Sequence, residues 1–164
     1  MPKKTTTAAA TTVATVGYEG TTMPAFLRAL REGGVGLLVD VRAVASSRRP
    51  GFSKTRLAAN LAESGIDYLH LRSLGTPADG RAAARAGRHE EMHRIFRAHL
   101  ATDEARDGME TLAELARGER KLCLLCLEAD PAHCHRTLVA AALGERVPVR
   151  VEHLRPQMED EVRD

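Results

Sequence analysis

The sequence predicts an α/β fold: a single domain with a mostly parallel sheet of about five strands flanked by helices. Three observations carry that reading. Short apolar runs of strand length recur at Val13–Gly17, Leu37–Val41, Ile66–Leu71, Lys121–Cys126 and Val147–Val151. Segments of helical period separate them, and strand alternating with helix is the pattern of a parallel sheet with right-handed crossovers. The 164 residues lie within the ordinary range for one domain, with enough chain to bury a core.

Met1 to Thr12 is polar and alanine-rich, so residues 1–12 read as a disordered tail before a domain over 13–154. After the first strand, Thr22 to Glu32 forms a helix with Phe26, Leu27 and Leu30 on one face, ended by Gly33-Gly34. Leu37–Val39 is apolar enough for a central strand, and Asp40-Val41 extends it to a polar end. Ser53 is placed to cap a second helix that buries Leu57, Ala58 and Leu61 and stops at Gly65, and a third strand follows. Ser73–Arg88 has no readable period and reads as a loop or a mobile lid. Helices around Glu90–Leu100 and Asp103–Arg117 come next, then the fourth strand. Asp130 and Pro131 open a helix through Leu143 that carries Cys134 and His135 in its first turns, and a last strand completes the sheet. Residues 155–164 form a charged tail expected to fray.

There are 24 Lys and Arg against 22 Asp and Glu, a net charge of +2, which is too small to signal nucleic acid by itself. No apolar run is long enough to span a membrane, and the N-terminus has no signal-peptide core, so a cytoplasmic protein is expected. The three cysteines are odd in number, and Cys123 and Cys126 point to opposite faces of one strand. That pattern predicts reduced thiols rather than a disulfide framework.

Ligands of parallel sheets bind beyond the carboxyl ends of the strands. Those ends carry Tyr18 and Glu19 after the first strand, Asp40 and Arg42 after the second, Arg72 after the third, and Cys126 and Glu128 after the fourth. Asp40 and Arg42, two apart in extended backbone, can pair with each other or grip a ligand together. The loop with Ser47, Arg48, Arg49, Ser53 and Lys54 sets guanidiniums and hydroxyls before a helix N-terminus and resembles an anion cradle. A solvated basic loop with an ordinary serine cap is the plainer account. Cys134, His135 and Arg136 stand at a second helix N-terminus, which favours thiolates and anions. Cys126 or Cys134 could be a nucleophile with Glu128 and His135 as proton handlers, or both could be packed core thiols. Cys126, Cys134 and His135, joined by Glu128 or His133, could also supply metal ligands, although no second cysteine pair is present.

Taken in order, Thr15-Val16-Gly17-Tyr18-Glu19-Gly20, Asp40-Val41-Arg42, Ser47 to Lys54, Tyr68 to Pro77, Leu125-Cys126-Leu127-Glu128 and Cys134-His135-Arg136 resemble the bacterial and archaeal family called domain of unknown function 488. The likeness runs from about Thr15 to Leu154. It implies a small α/β domain with a polar site at one sheet edge and brings no established reaction. The Asp-Val-Arg strand end also looks like one in rhodanese-type sulfurtransferases, whose cysteine-bearing active loop is not evident here. The function expected first is binding of a small anionic or phosphate-bearing ligand, with a nucleotide or nucleic acid among the candidates. A thiol-dependent, sulfurtransferase-like enzyme and a metal-binding module are the alternatives. No cofactor is required by the sequence.

Overall fold

The computed structural model describes residues 10–159, with residues 1–9 and 160–164 outside that range. Five strands, β1 (Thr11–Gly17), β2 (Leu37–Asp40), β3 (Asp67–His70), β4 (Leu122–Cys126) and β5 (Val149–His153), form one sheet in the order β3-β2-β4-β1-β5. Every pairing is parallel. The helices are α1 (Met23–Glu32), α2 (Lys54–Glu63), α3 (Ala78–Arg85), α4 (His89–Leu100), α5 (Asp103–Ala116) and α6 (His135–Gly144).

Period-two alternation divides the strand residues between two apolar layers. Ala14, Val16, Leu38, Cys123 and Leu125 face Phe26 and Leu30 of α1 and Leu57 and Leu61 of α2. Val13, Leu37, Val39, Leu122 and Leu124 face Met92 and Phe96 of α4, Met109 and Leu112 of α5, and Val139 and Leu143 of α6. Helices therefore cover both faces, which is why the central strands β2 and β4 are buried along their whole length.

Several boundaries differ from the sequence reading. Strand β1 begins at Thr11 rather than Val13, because Thr11 and Thr12 pair with Val149 and Arg150 of β5. Residues 155–159 are tied down: Met158 bridges Thr21, and the Glu159 amide donates to the Gly20 carbonyl at 2.7 Å. The segment Ser73–Arg88 is not a loop. It holds the end of a 3-10 turn (Arg72–Leu74) and then α3, whose buried residues are only Gly80 and Ala83, too small to leave an apolar stripe. Ser53 occupies the α2 cap position, but its hydroxyl does not bond the helix and instead pairs with the Ser47 backbone. The helix expected from Pro131 is broken. Pro131–His133 is a 3-10 turn, Cys134 is extended, and α6 starts at His135 with the Cys134 sulfur accepting from the Arg136 amide at 3.5 Å.

At the carboxyl edge the connections touch closely enough to demand glycine. A Cβ on Gly17 would overlap the Glu128 carbonyl, and one on Gly75 would overlap the Ala43 backbone. Gly17→Ala is expected to lower unfolding free energy by about 3 kcal/mol, since the obstacle is backbone and cannot rotate away. Urea denaturation of the purified variant measures this, and a loss below about 0.5 kcal/mol would contradict it.

A candidate ligand crevice at the sheet switch point

Strands β1 and β4 are neighbours, yet β1 runs into α1 on one face and β4 into α6 on the other. Chain leaving in opposite directions opens a gap between the two loops, the usual ligand position in such sheets. A cavity of about 490 Å³ lies there, a volume suited to a small molecule. Its walls come from the loops after β1, β2 and β4, from α3, and from the start of α4.

The back wall is built on a buried ion pair. Arg42 donates from Nε to Asp40 Oδ1 at 2.9 Å and from Nη2 to Oδ2 at 2.8 Å, and its amide also donates to Oδ1. Nη1 donates to the Tyr18 hydroxyl at 3.2 Å and to the Phe52 carbonyl at 2.8 Å. Four of the five guanidinium N–H groups are thus spent within the fold. Burial works against the charge on Arg42, but the hydrogen bonds and field of Asp40 outweigh it and hold the guanidinium protonated more firmly than usual. Tyr68 donates to Asp40 Oδ2 at 2.5 Å, and its own burial together with that carboxylate raises its phenol above the ordinary value. The Tyr18 ring stacks on Phe52 with centroids 4.6 Å apart and lies under the Arg42 guanidinium.

The floor carries sulfur and imidazole. Contrary to the expectation of reduced thiols throughout, Cys126 and Cys134 are joined as a disulfide, because the 3-10 turn carries the chain back over the end of β4. Cys123 is free, buried on the opposite face, and its thiol is pushed well up by burial. His135 donates from Nε2 to the Val41 carbonyl at 2.6 Å, which places its proton there and leaves the Nδ1 lone pair facing sulfur. That nitrogen lies 3.4 Å from Cys126 Sγ and 3.8 Å from Cys134 Sγ. Burial pushes the His135 pKa down to about 4, so the ring is neutral near pH 7. Glu128 Oε2 is 3.0 Å from Cys126 Sγ, and burial raises its carboxyl above the ordinary range.

Of the residues singled out in the sequence, Tyr18, Glu19, Arg42, Cys126, Glu128, His133 and His135 line the crevice. Asp40 lies behind Arg42, and Cys134 lies below the floor against Cys126. Ser47, Arg48, Arg49, Ser53, Lys54, Arg72 and Arg136 are not in its lining. Arg49 is turned to the Thr21 carbonyl and Glu159. Arg136 is fully buried and donates to the Glu128 and Ala129 carbonyls, so it shapes the loop after β4; burial lowers its pKa to about 10. Sequence reasoning missed Arg81 and Arg85 on α3, and His89, which stacks on His133 at 4.1 Å. The spacing Arg81-x-x-x-Arg85, one helical turn, was the available signal.

A parallel α/β domain with a crevice at its switch point is the class of protein that this fold and site define. The chain belongs to the family described as Domain of unknown function DUF488, whose model matches residues 22–143, most of the chain. No curated protein and no solved structure matches it. Among the described residues, no helix is long and apolar enough to cross a membrane.

Removing one member of the buried ion pair strands the other. Asp40→Ala should therefore cost about 3–5 kcal/mol of stability, and replacing both partners by apolar residues, as in Asp40→Leu with Arg42→Met, should cost much less. Chemical denaturation of the single and double variants checks this; equal losses in both would refute it.

Proposed function

We propose that the protein binds a small anionic ligand, bearing a phosphate or carboxylate group, in the crevice between the β1 and β4 loops. The observation that carries this reading is the imbalance of satisfied charge around the cavity. Of the three carboxylates in the lining, Glu19 accepts from the Ala129 amide and Asp130 from the Ala132 amide, while burial holds the Glu128 carboxyl toward its neutral form. Arg81 spends one N–H group on the Thr76 carbonyl, and neither it nor Arg85 is in an ion pair among the described residues. Two guanidiniums one turn apart on α3 match a bidentate or bridged oxyanion. Arg42, neutralised by Asp40 and with its donors mostly committed, adds little net charge. The volume suits a single nucleotide unit or smaller, so nucleic acid would enter as a chain end.

Calorimetric titration with inorganic phosphate, a nucleoside monophosphate and a short oligonucleotide tests the reading. Arg81→Ala combined with Arg85→Ala is expected to weaken the tightest of these by about tenfold to a hundredfold, the loss of one or two charge-assisted hydrogen bonds. Affinity should also fall with added salt. Equally weak binding by both proteins removes the idea.

A second reading, thiol chemistry at Cys126, is favoured by its place in the crevice beside a His135 Nδ1 whose lone pair is held toward it. Once reduced, Cys126 should be alkylated by iodoacetamide at neutral pH faster than a free model thiol. A rate equal to or below the model thiol's discards that reading.

A further inference from the structure

We propose that Cys126, Cys134 and His135 form a Cys2His site for a thiophilic divalent metal ion such as zinc, with its fourth position open to the crevice. The inference does not rest on the anion reading, since none of these three side chains supplies a guanidinium or an ammonium.

Geometry argues first. Around a tetrahedral zinc, bonds of ~2.3 Å to sulfur and ~2.0 Å to imidazole nitrogen place nitrogen and sulfur ~3.5 Å apart. His135 Nδ1 lies 3.4 Å and 3.8 Å from the two sulfurs, which matches those two edges; the sulfurs, bonded to each other here, part to ~3.8 Å on reduction to complete the triangle. The ligand atoms all lie within 4.8 Å of one another, and all three residues are buried. The Cα atoms of the two cysteines are 7.0 Å apart, a span that two thiolates sharing one ion fill readily.

The imidazole is prepared as well. A metal ligand histidine needs its other nitrogen proton fixed by an acceptor, and the Val41 carbonyl at 2.6 Å does that for Nε2. Phe96 packs edge-on to the ring with centroids 5.0 Å apart and blocks its rotation. The Arg136 amide, 3.5 Å from Cys134 Sγ, is the N–H donor that a ligating thiolate accepts. Both Cys126 and His135 line the crevice, so the remaining coordination position faces it, with Glu128 at the margin 3.0 Å from Cys126 Sγ. Three protein ligands and an open fourth position are the arrangement of a reactive zinc rather than a closed structural one.

Metal and disulfide exclude each other. A dithiol reductant first gives the Cys126–Cys134 bond two electrons and two protons, forming two thiols while the reductant becomes its own disulfide. Binding of M²⁺ then releases both thiol protons and forms two metal–sulfur bonds without further electron transfer.

Cobalt(II) titrated anaerobically into the fully reduced chain tests the site. The expected result is a thiolate-to-cobalt charge-transfer band that saturates at one equivalent and disappears when zinc, the tighter ion, is added. Cys134→Ser should abolish the band, and serine keeps an N-cap oxygen for α6, so this variant retains its fold. Cys123→Ala, on the opposite face of β4, should leave the band intact. On unaltered protein, zinc should slow alkylation of Cys126 and Cys134 at least tenfold. A reduced wild-type chain without the band, a band of equal strength in Cys134→Ser, or alkylation indifferent to zinc would each overturn the proposal. None of these measurements touches Arg81 or Arg85, so failure here and failure of phosphate binding are read separately.

Discussion

The buried pair of Asp40 and Arg42 is the constraint from which the crevice is built. Carried into the interior alone, either charge would cost several kcal/mol, so each must meet the other and satisfy its remaining hydrogen-bonding groups locally. That demand recruits the Tyr18 hydroxyl and the Phe52 carbonyl from two separate connections and the Tyr68 hydroxyl from β3. A loop of polar residues would otherwise have little reason to lie against the strand ends. The pair also fixes the backbone around it, where the Val41 carbonyl receives His135 from α6 and the Arg42 carbonyl receives His70 from β3. One ion pair thus sets the positions of groups from both sides of the sheet.

Topology supplies the space that this network lines. With α1 and α2 on one face and α4, α5 and α6 on the other, the loops after β1 and β4 part where they leave the sheet. They remain close enough for Gly17 to meet the Glu128 carbonyl, and Arg136, from beneath, holds that same carbonyl at 2.5 Å. The gap is therefore fixed on its floor. The long crossover from β3 to β4 brings α3 across the opening, and with it the two arginines.

Fold and floor were legible in the sequence to different depths. Apolar runs such as Leu37–Val39 and Leu122–Leu125 have the length and apolarity of central strands, and their alternation with helices implies a parallel sheet, so the architecture followed from local pattern. The meeting of Tyr18, Arg42 and His135 followed from the rule for strand ends. What stayed hidden depended on long-range partners. Thr11 and Thr12 are strand because β5 lies beside them, and α3 is helix although alanine, glycine and arginine give it no stripe. Arg48, Arg49, Ser53 and Lys54 looked like an anion cradle by composition. Arg49 and Ser53 turn inward to the Thr21 and Ser47 carbonyls where composition could not show it, while Arg48 and Lys54 are exposed outside the crevice lining. The disulfide was unreadable for a similar reason: a 3-10 turn rather than an α-helix after Asp130 is what swings Cys134 back over Cys126.

The wall and the floor of the crevice rest on different physics, and this separates recognition from chemistry. Arg85 is exposed and Arg81 only half-buried, so their attraction for an anion is attenuated by water and salt. The floor is shielded more, with His135 and both sulfurs buried and Glu128 half-buried. There the neutral His135, the raised Glu128 carboxyl and the two sulfurs sit in an apolar setting closed by Phe96 and Met92, where each polar contact is worth more and each unpaired charge costs more. Two thiolates in such a place need a compensating cation. Arg136 contributes one positive charge, but its donors are directed to the Glu128 and Ala129 carbonyls. Neutrality at the floor can then be reached in three ways: protonation of both sulfurs, a covalent bond between them, or a divalent cation shared by them. A protonated sulfur offers the Nδ1 lone pair of His135 a weak S–H donor, whereas a shared divalent cation would offer it a coordination bond.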